Sequence, residues 1–160
     1  MARNVEIMDT TLRDGEQTSG MSFSSSEKLT IAKLLLGELK VDRIEIASAR
    51  VSDGEFTAVK NITNWAKENN YLSKVEVLTF LDNGVSISWL NDSGGRVQNL
   101  LTKGSLNHLK YQIKKTPKEH FKDVCNSVHD ARKLNIATNV YLEDWSNGMR
   151  NSPDYVFDYL

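Results

Sequence analysis

Apolar and polar residues along this chain follow two periods that take turns. Val5 to Met8 is a short apolar run, β-branched at Val5 and Ile7, and predicts a buried strand. Ser24-Ser25-Ser26-Glu27 then supplies a helix start, with Ser24 as cap and Glu27 reaching back to its amide. Leu29, Ala32, Leu35, Leu36 and Leu39 recur at helical spacing as one apolar stripe, which leaves Lys28, Lys33, Glu38 and Lys40 for the other face. In Arg43-Ile44-Glu45-Ile46-Ala47 the period falls to two, a second strand with Glu45 opposite the isoleucines. Asp53 opens a second helix that places Phe56, Val59, Ile62, Thr63 and Ala66 on one face and runs out near Asn69-Asn70.

The alternation continues. Val75 to Phe80 reads as a third strand, Asn83-Gly84 as a turn, and Val85 to Asn91 as a short helix stopped at Gly94-Gly95. Val97 to Leu101 is a fourth strand, followed by a loop over Thr102-Lys103-Gly104-Ser105. Leu106 to Lys115, with Leu109 and Ile113 one turn apart, predicts a short extra helix. Thr116-Pro117-Lys118-Glu119 combines cap, N1 proline and box glutamate, opening a helix with Phe121, Val124, Val128 and Ala131 inward. Thr138 to Glu143 is a fifth strand, and Ser152-Pro153-Asp154 caps a last helix. Five strand–helix alternations predict an α/β fold with a parallel sheet. Five units do not close an eight-stranded barrel, and a five-stranded doubly wound sheet satisfies the pattern equally well.

Composition narrows the function. The 160 residues suffice for one domain with a real core. A formal net charge of -1 gives no basic face for nucleic acid. The single cysteine, Cys125, allows no intrachain disulfide and falls in a helix, which predicts a small buried thiol. With no secretory leader and no long apolar span evident, the expectation is a cytoplasmic protein without a membrane partner.

The chemistry concentrates in Asp9-Thr10-Thr11-Leu12-Arg13-Asp14-Gly15-Glu16-Gln17, where polarity rises abruptly after the first strand. Ligands of parallel α/β structures sit at the C-terminal ends of strands. An Arg-Asp pair there is either an active-site edge or a salt bridge in a surface turn. Glu45 poses a similar choice between a surface carboxylate and an inward one, which would need a partner such as Arg13.

The nine-residue run resembles the signature of the DRE-TIM metallolyase superfamily, and within it the 2-isopropylmalate, homocitrate and citramalate synthases. The likeness continues through Tyr141-Leu142-Glu143-Asp144-Trp145-Ser146-Asn147-Gly148 and so covers nearly the whole chain. It is strongest toward citramalate synthases and related 2-isopropylmalate synthases. The resemblance implies the N-terminal part, about five β/α units, of a TIM (β/α)8 barrel, with residues 1–160 a portion of the catalytic domain. It implies an acyltransferase of branched-chain amino-acid biosynthesis that condenses acetyl-CoA with a 2-keto acid and hydrolyses the thioester. Arg13 matches the arginine that stabilises the enolate and keto oxygens, and Glu45 the glutamate that holds it. Asp14 matches a ligand of a divalent metal, Mg²⁺ or Mn²⁺, and Gln17 a substrate contact. Glu143 matches a glutamate of the acid/base chemistry, acting as the base or by orienting a water, while Asp144 beside it is expected to be structural.

The family's remaining metal ligands form a His-X-His motif that this sequence lacks. His108, His120 and His129 fall in predicted helices and are assigned surface or packing roles. The chain alone is therefore expected to bind Mg²⁺ weakly or not at all. Leu78, Leu101 and Tyr141 match positions lining the keto-acid pocket. An apolar wall disfavours a second carboxylate, and its bulk suggests pyruvate over 2-ketoisovalerate. The complete enzyme is expected to be a homodimer, and a partial barrel to dimerise, to aggregate through its exposed edges or to depend on the missing half. Two other readings are a non-catalytic truncated paralogue or interaction module, and a superfamily lyase.

Overall fold

A computed structural model describes residues 5–160. Five strands, β1 (Met8–Asp9), β2 (Arg43–Ser48), β3 (Val75–Thr79), β4 (Val97–Lys103) and β5 (Ala137–Glu143), form one sheet in the order β1-β2-β3-β4-β5. All four pairings are parallel. A doubly wound sheet reverses its winding and carries helices on both faces. Here the order is consecutive, so right-handed crossovers keep the helices on one side. The result is a half-barrel, as expected for the N-terminal part of a TIM barrel.

The helices are α1 (Ser25–Lys33), α2 (Asp53–Glu68), α3 (Val85–Asp92), α4 (Leu106–His108), α5 (Pro117–Lys133), α6 (Trp145–Asn151) and α7 (Pro153–Tyr159). No helix among the described residues is long and apolar enough to cross a membrane. Both predicted capping boxes are present, Ser24 with Glu27 and Thr116 with Glu119. The main core lies between sheet and helices. Ile44 and Ile46 of β2 and Val75 and Val77 of β3 pack there with Ala32, Leu35 and Leu36, with Val59, Ile62 and Ala66 of α2, and with Leu90 of α3. Each fully buried isoleucine contributes about 2–3 kcal/mol of transfer free energy. A second cluster joins Leu109, Tyr155 and Val156.

Several expectations need correction. The opening strand is not buried over Val5 to Met8. Val5 and Ile7 are exposed, and the ladder takes up Met8 and Asp9 only, because β1 lies at the sheet edge with β2 on one side. Leu39 is exposed because a π-turn over Leu34–Glu38 continues α1 and rotates the stripe out of phase. Lys28, assigned to solvent, is fully buried among polar partners. Cys125 is exposed, since α5 turns His120, Ser127 and Ala131 inward instead. β4 runs two residues past Leu101, to Lys103. Ser152 does not cap α7 with its hydroxyl, which donates to the Gly148 carbonyl of the additional helix α6.

Candidate active site

Alternation along the strands sorts their side chains into two sets. One faces the helices. The other carries Glu45, Glu76, Leu78, Asn99, Leu101, Lys103, Asn139, Tyr141 and Glu143, which register brings together across the opposite face. Glu45 aligns with Glu76, Leu78 with Asn99, Asn99 with Asn139, Leu101 with Tyr141, and Lys103 with Glu143. These rungs climb toward the C-terminal strand ends, where parallel α/β proteins place their sites.

Past β1 the chain folds into a tight turn, the amides of Arg13, Asp14 and Gly15 all donating to the Thr10 carbonyl. A short 3-10 segment, Gly15–Gln17, follows. The turn is tied from below by Lys28, whose Nζ donates to the Leu12 carbonyl at 3.3 Å and pairs with Glu16 and Glu55, each at 2.6 Å. The buried ammonium therefore holds the turn against α1 and α2. A lysine sealed from water must be paired in this way.

Arg13 emerges from this turn with its side chain 16% exposed. Its Nε donates to Glu45, and Nη1 reaches Asp14 Oδ1 at 2.9 Å. Glu45 is fully buried, as expected of an inward glutamate with a cationic partner. Its second oxygen accepts the Asn99 amide at 2.7 Å, and Asn99 in turn accepts from Asn139 at 3.1 Å. Asp14 is largely exposed. Gln17 is also exposed and lines a cleft of about 270 Å³ with Arg13, Glu16, Ala47, Ser48 and Val51.

Of the pocket-lining candidates, Leu78 is buried and Leu101 and Tyr141 are half-buried. The Tyr141 hydroxyl donates to Met8 Sδ at 3.5 Å, so the phenol lies over β1 and beside the arginine pair. Burial, reinforced by the carboxylates of Glu45 and Glu76, raises its pKa far above the ordinary phenol value and keeps it protonated. Leu101 borders a separate cavity of about 200 Å³ with Phe80, Leu81, Lys103, Lys115 and His120.

Glu143 lies on the same face at the tip of β5. It pairs with Lys103, and its side chain is 38% exposed. Asp144 is structural in geometry, with backbone in the left-handed region, accepting from Ser105 and Asn147 at 2.6 Å each. Those two bonds lower its pKa. His120 is a packed core residue whose Nε2 accepts the Lys103 amide at 3.2 Å, with aromatic neighbours Phe121 and Tyr159. Burial lowers its pKa.

Sequence reasoning missed Asn99, Asn139, Lys103 and Lys28. For the first three the inward face was legible: Asn99 and Lys103 share the two-residue period of Leu101, once β4 is carried to its full length, and Asn139 that of Tyr141. Lys28 had no such signal. Among the described residues no three histidine, cysteine, aspartate or glutamate side chains converge as a metal site. Asp14 offers one carboxylate oxygen and by itself makes no metal centre.

Consecutive parallel strands with helices on one face make this half-barrel the N-terminal part of a β/α barrel, with the half-buried Arg13 paired to the buried Glu45 on its inner face. The sequence matches the HMGL-like family over residues 4–156, and the chain belongs to that family, the DRE-TIM group. It is 38% identical over 133 residues to the 2-isopropylmalate synthase of Pyrococcus furiosus, covering 83% of this chain and 26% of that one. It is 37% identical over 140 residues to the (R)-citramalate synthase of Methanocaldococcus jannaschii, covering 88% and 27%. The chain thus spans roughly a quarter to a third of such relatives' length. In fold it is similar to the HMG-CoA lyase of Bacillus subtilis, with a TM-score of 0.61 at 18% identity over 99% of this chain and 56% of that one.

Proposed function

We propose that this chain supplies the first strands of the active site of an acyltransferase that condenses acetyl-CoA with a small apolar 2-keto acid, pyruvate or 2-ketoisovalerate. The observation that carries the reading is the Arg13–Glu45 pair. Glu45 takes the Nε side of the guanidinium, so the rest of the donor fork is left for Asp14 and for oxygens of a bound oxoacid. An enolate adding to a ketone develops negative charge on oxygen, and a fixed, half-shielded cation stabilises it without reorganising.

Glu143, the exposed partner of Lys103, serves as base toward the acetyl methyl or orients the water that cleaves the thioester. Leu78, Leu101 and Tyr141 form the wall against the keto acid's side chain, and their bulk supports pyruvate. Gln17 contributes a polar contact from the turn. Asp14 would lend one oxygen to a divalent cation, Mg²⁺ or Mn²⁺, whose other ligands lie outside these five strands. A homodimer and a cytoplasmic setting belong to the same proposal.

The test is a keto-acid panel on the full-length protein with acetyl-CoA and Mg²⁺, reading free CoA with a thiol reagent. Release is expected with pyruvate, less with 2-ketoisovalerate and none with 2-ketoglutarate. No release with any keto acid, or cleavage of a 3-hydroxyacyl-CoA instead, overturns the proposal.

A further inference from the structure

We propose that Asn99 is a positioning residue for the Arg13 guanidinium, acting through Glu45. The inference rests on the proposed role of Arg13 and extends it to a residue one strand beyond β3.

Glu45 and Glu76 are register partners on neighbouring strands, and both are buried, at 0% and 1% exposure. Two carboxylates side by side repel, and each has its own cation. Glu45 takes Arg13, and Glu76 takes Arg43 Nη1 at 3.2 Å. Coulombic attraction alone does not fix how the Glu45 carboxylate is turned, because a carboxylate accepts a guanidinium side-on through Nε or end-on through the terminal nitrogens. The neutral donor decides. Asn99 Nδ2 occupies Oε1 of Glu45 at 2.7 Å, which leaves Oε2 for Arg13 Nε.

The orientation of the Asn99 amide is set in its turn. Its Oδ1 accepts from Asn139 Nδ2 at 3.1 Å, so the amino end must face Glu45. The chain Asn139–Asn99–Glu45–Arg13 runs from β5 across the inner face to the turn after β1. It converts the alignment of β2, β4 and β5 into the aim of one side chain. A leucine at position 99 would remove the amide donor from Oε1. The carboxylate would then turn both oxygens toward the guanidinium and draw it out of its Nε-bonded pose.

The experiment uses full-length protein labelled with ¹⁵N-arginine. The Arg13 Nε–H resonance is assigned by its loss in Arg13→Lys. In Asn99→Leu that resonance is expected to shift and its exchange with water to rise about tenfold or more, with kcat for CoA release falling at least tenfold. Asn139→Ala, at a half-buried position, is expected to produce the same change in smaller degree and serves where Asn99→Leu does not fold. An Arg13 resonance with parental shift and exchange in a folded variant overturns the inference. If the parent protein releases no CoA but the resonance responds, the acyltransferase reading fails and the positioning role stands.

Discussion

Lys103 closes an ion pair on Glu143, its register partner at the tips of β4 and β5. The lysine side chain is 14% exposed and the glutamate 38%, so the ammonium backs the carboxylate while the carboxylate stays open to a ligand. In the complete enzyme, Glu143→Gln is expected to lower kcat about a hundredfold while leaving keto-acid affinity within about twofold. CoA release and calorimetric titration with the keto acid check the two halves. Parental turnover would take Glu143 out of the mechanism.

Lys28 is fully buried and binds three groups. Replacing it by methionine keeps the volume but leaves Glu16 and Glu55 facing one another and the Leu12 carbonyl without its donor. Both carboxylates retain some solvent, so the expected loss is about 2–3 kcal/mol rather than the larger cost of a wholly buried pair. Urea unfolding of Lys28→Met against the parent measures it.

Gly148 lies where α6 crosses the loop after β4. A Cβ there would sit 1.8 Å from the Gly104 carbonyl oxygen, a backbone atom that cannot swing aside. Gly148→Ala should cost about 2 kcal/mol or more by overpacking, seen as a lower urea midpoint at unchanged slope.

His120 makes stability depend on pH. Burial depresses its folded-state pKa below the ordinary 6.5. Above that value both folded and unfolded chains hold a neutral imidazole, and the site has no effect. As pH falls below it, the unfolded chain takes up the proton first, so stability drops until the folded form protonates too. Unfolding at pH 5.5 and 7.5 should show this loss, and His120→Gln should reduce it. An equal pH response in the variant would locate the effect elsewhere.

Cys125 is exposed on α5. An aromatic disulfide reagent should titrate one thiol per folded chain without denaturant. A thiol that reacts only in denaturant would contradict the packing of α5.

Much of the fold could be read in advance because each strand and helix announced itself locally. Ile44 and Ile46 alternate with Glu45, and Ser24 and Thr116 carry their box glutamates three residues on. Strand order was not legible, since alternation of elements is common to barrels and open sheets. Phase errors came from non-local causes. The π-turn that swings Leu39 outward leaves no periodic trace, and Lys28 is charged yet buried because the turn after β1 and the start of α2 together supply its partners. Within the site, Arg13 and Glu45 could be paired from chemistry. Asn99 and Asn139 carry the inward period of β4 and β5, but their partners could not be named, because an uncharged amide in a strand advertises none until register places one opposite it.

β1 enters the ladder through two register pairs, against seven between β4 and β5. The tip bearing Arg13 is therefore moored sideways, by Asp42 to the Ile7 amide, Lys28 to the Leu12 carbonyl and Glu45 to the guanidinium, more than by the sheet itself. On warming, this strand should peel away while the helices stand, carrying the arginine with it. Any catalysis that needs Arg13 would then fade several degrees before the far-ultraviolet spectrum registers melting.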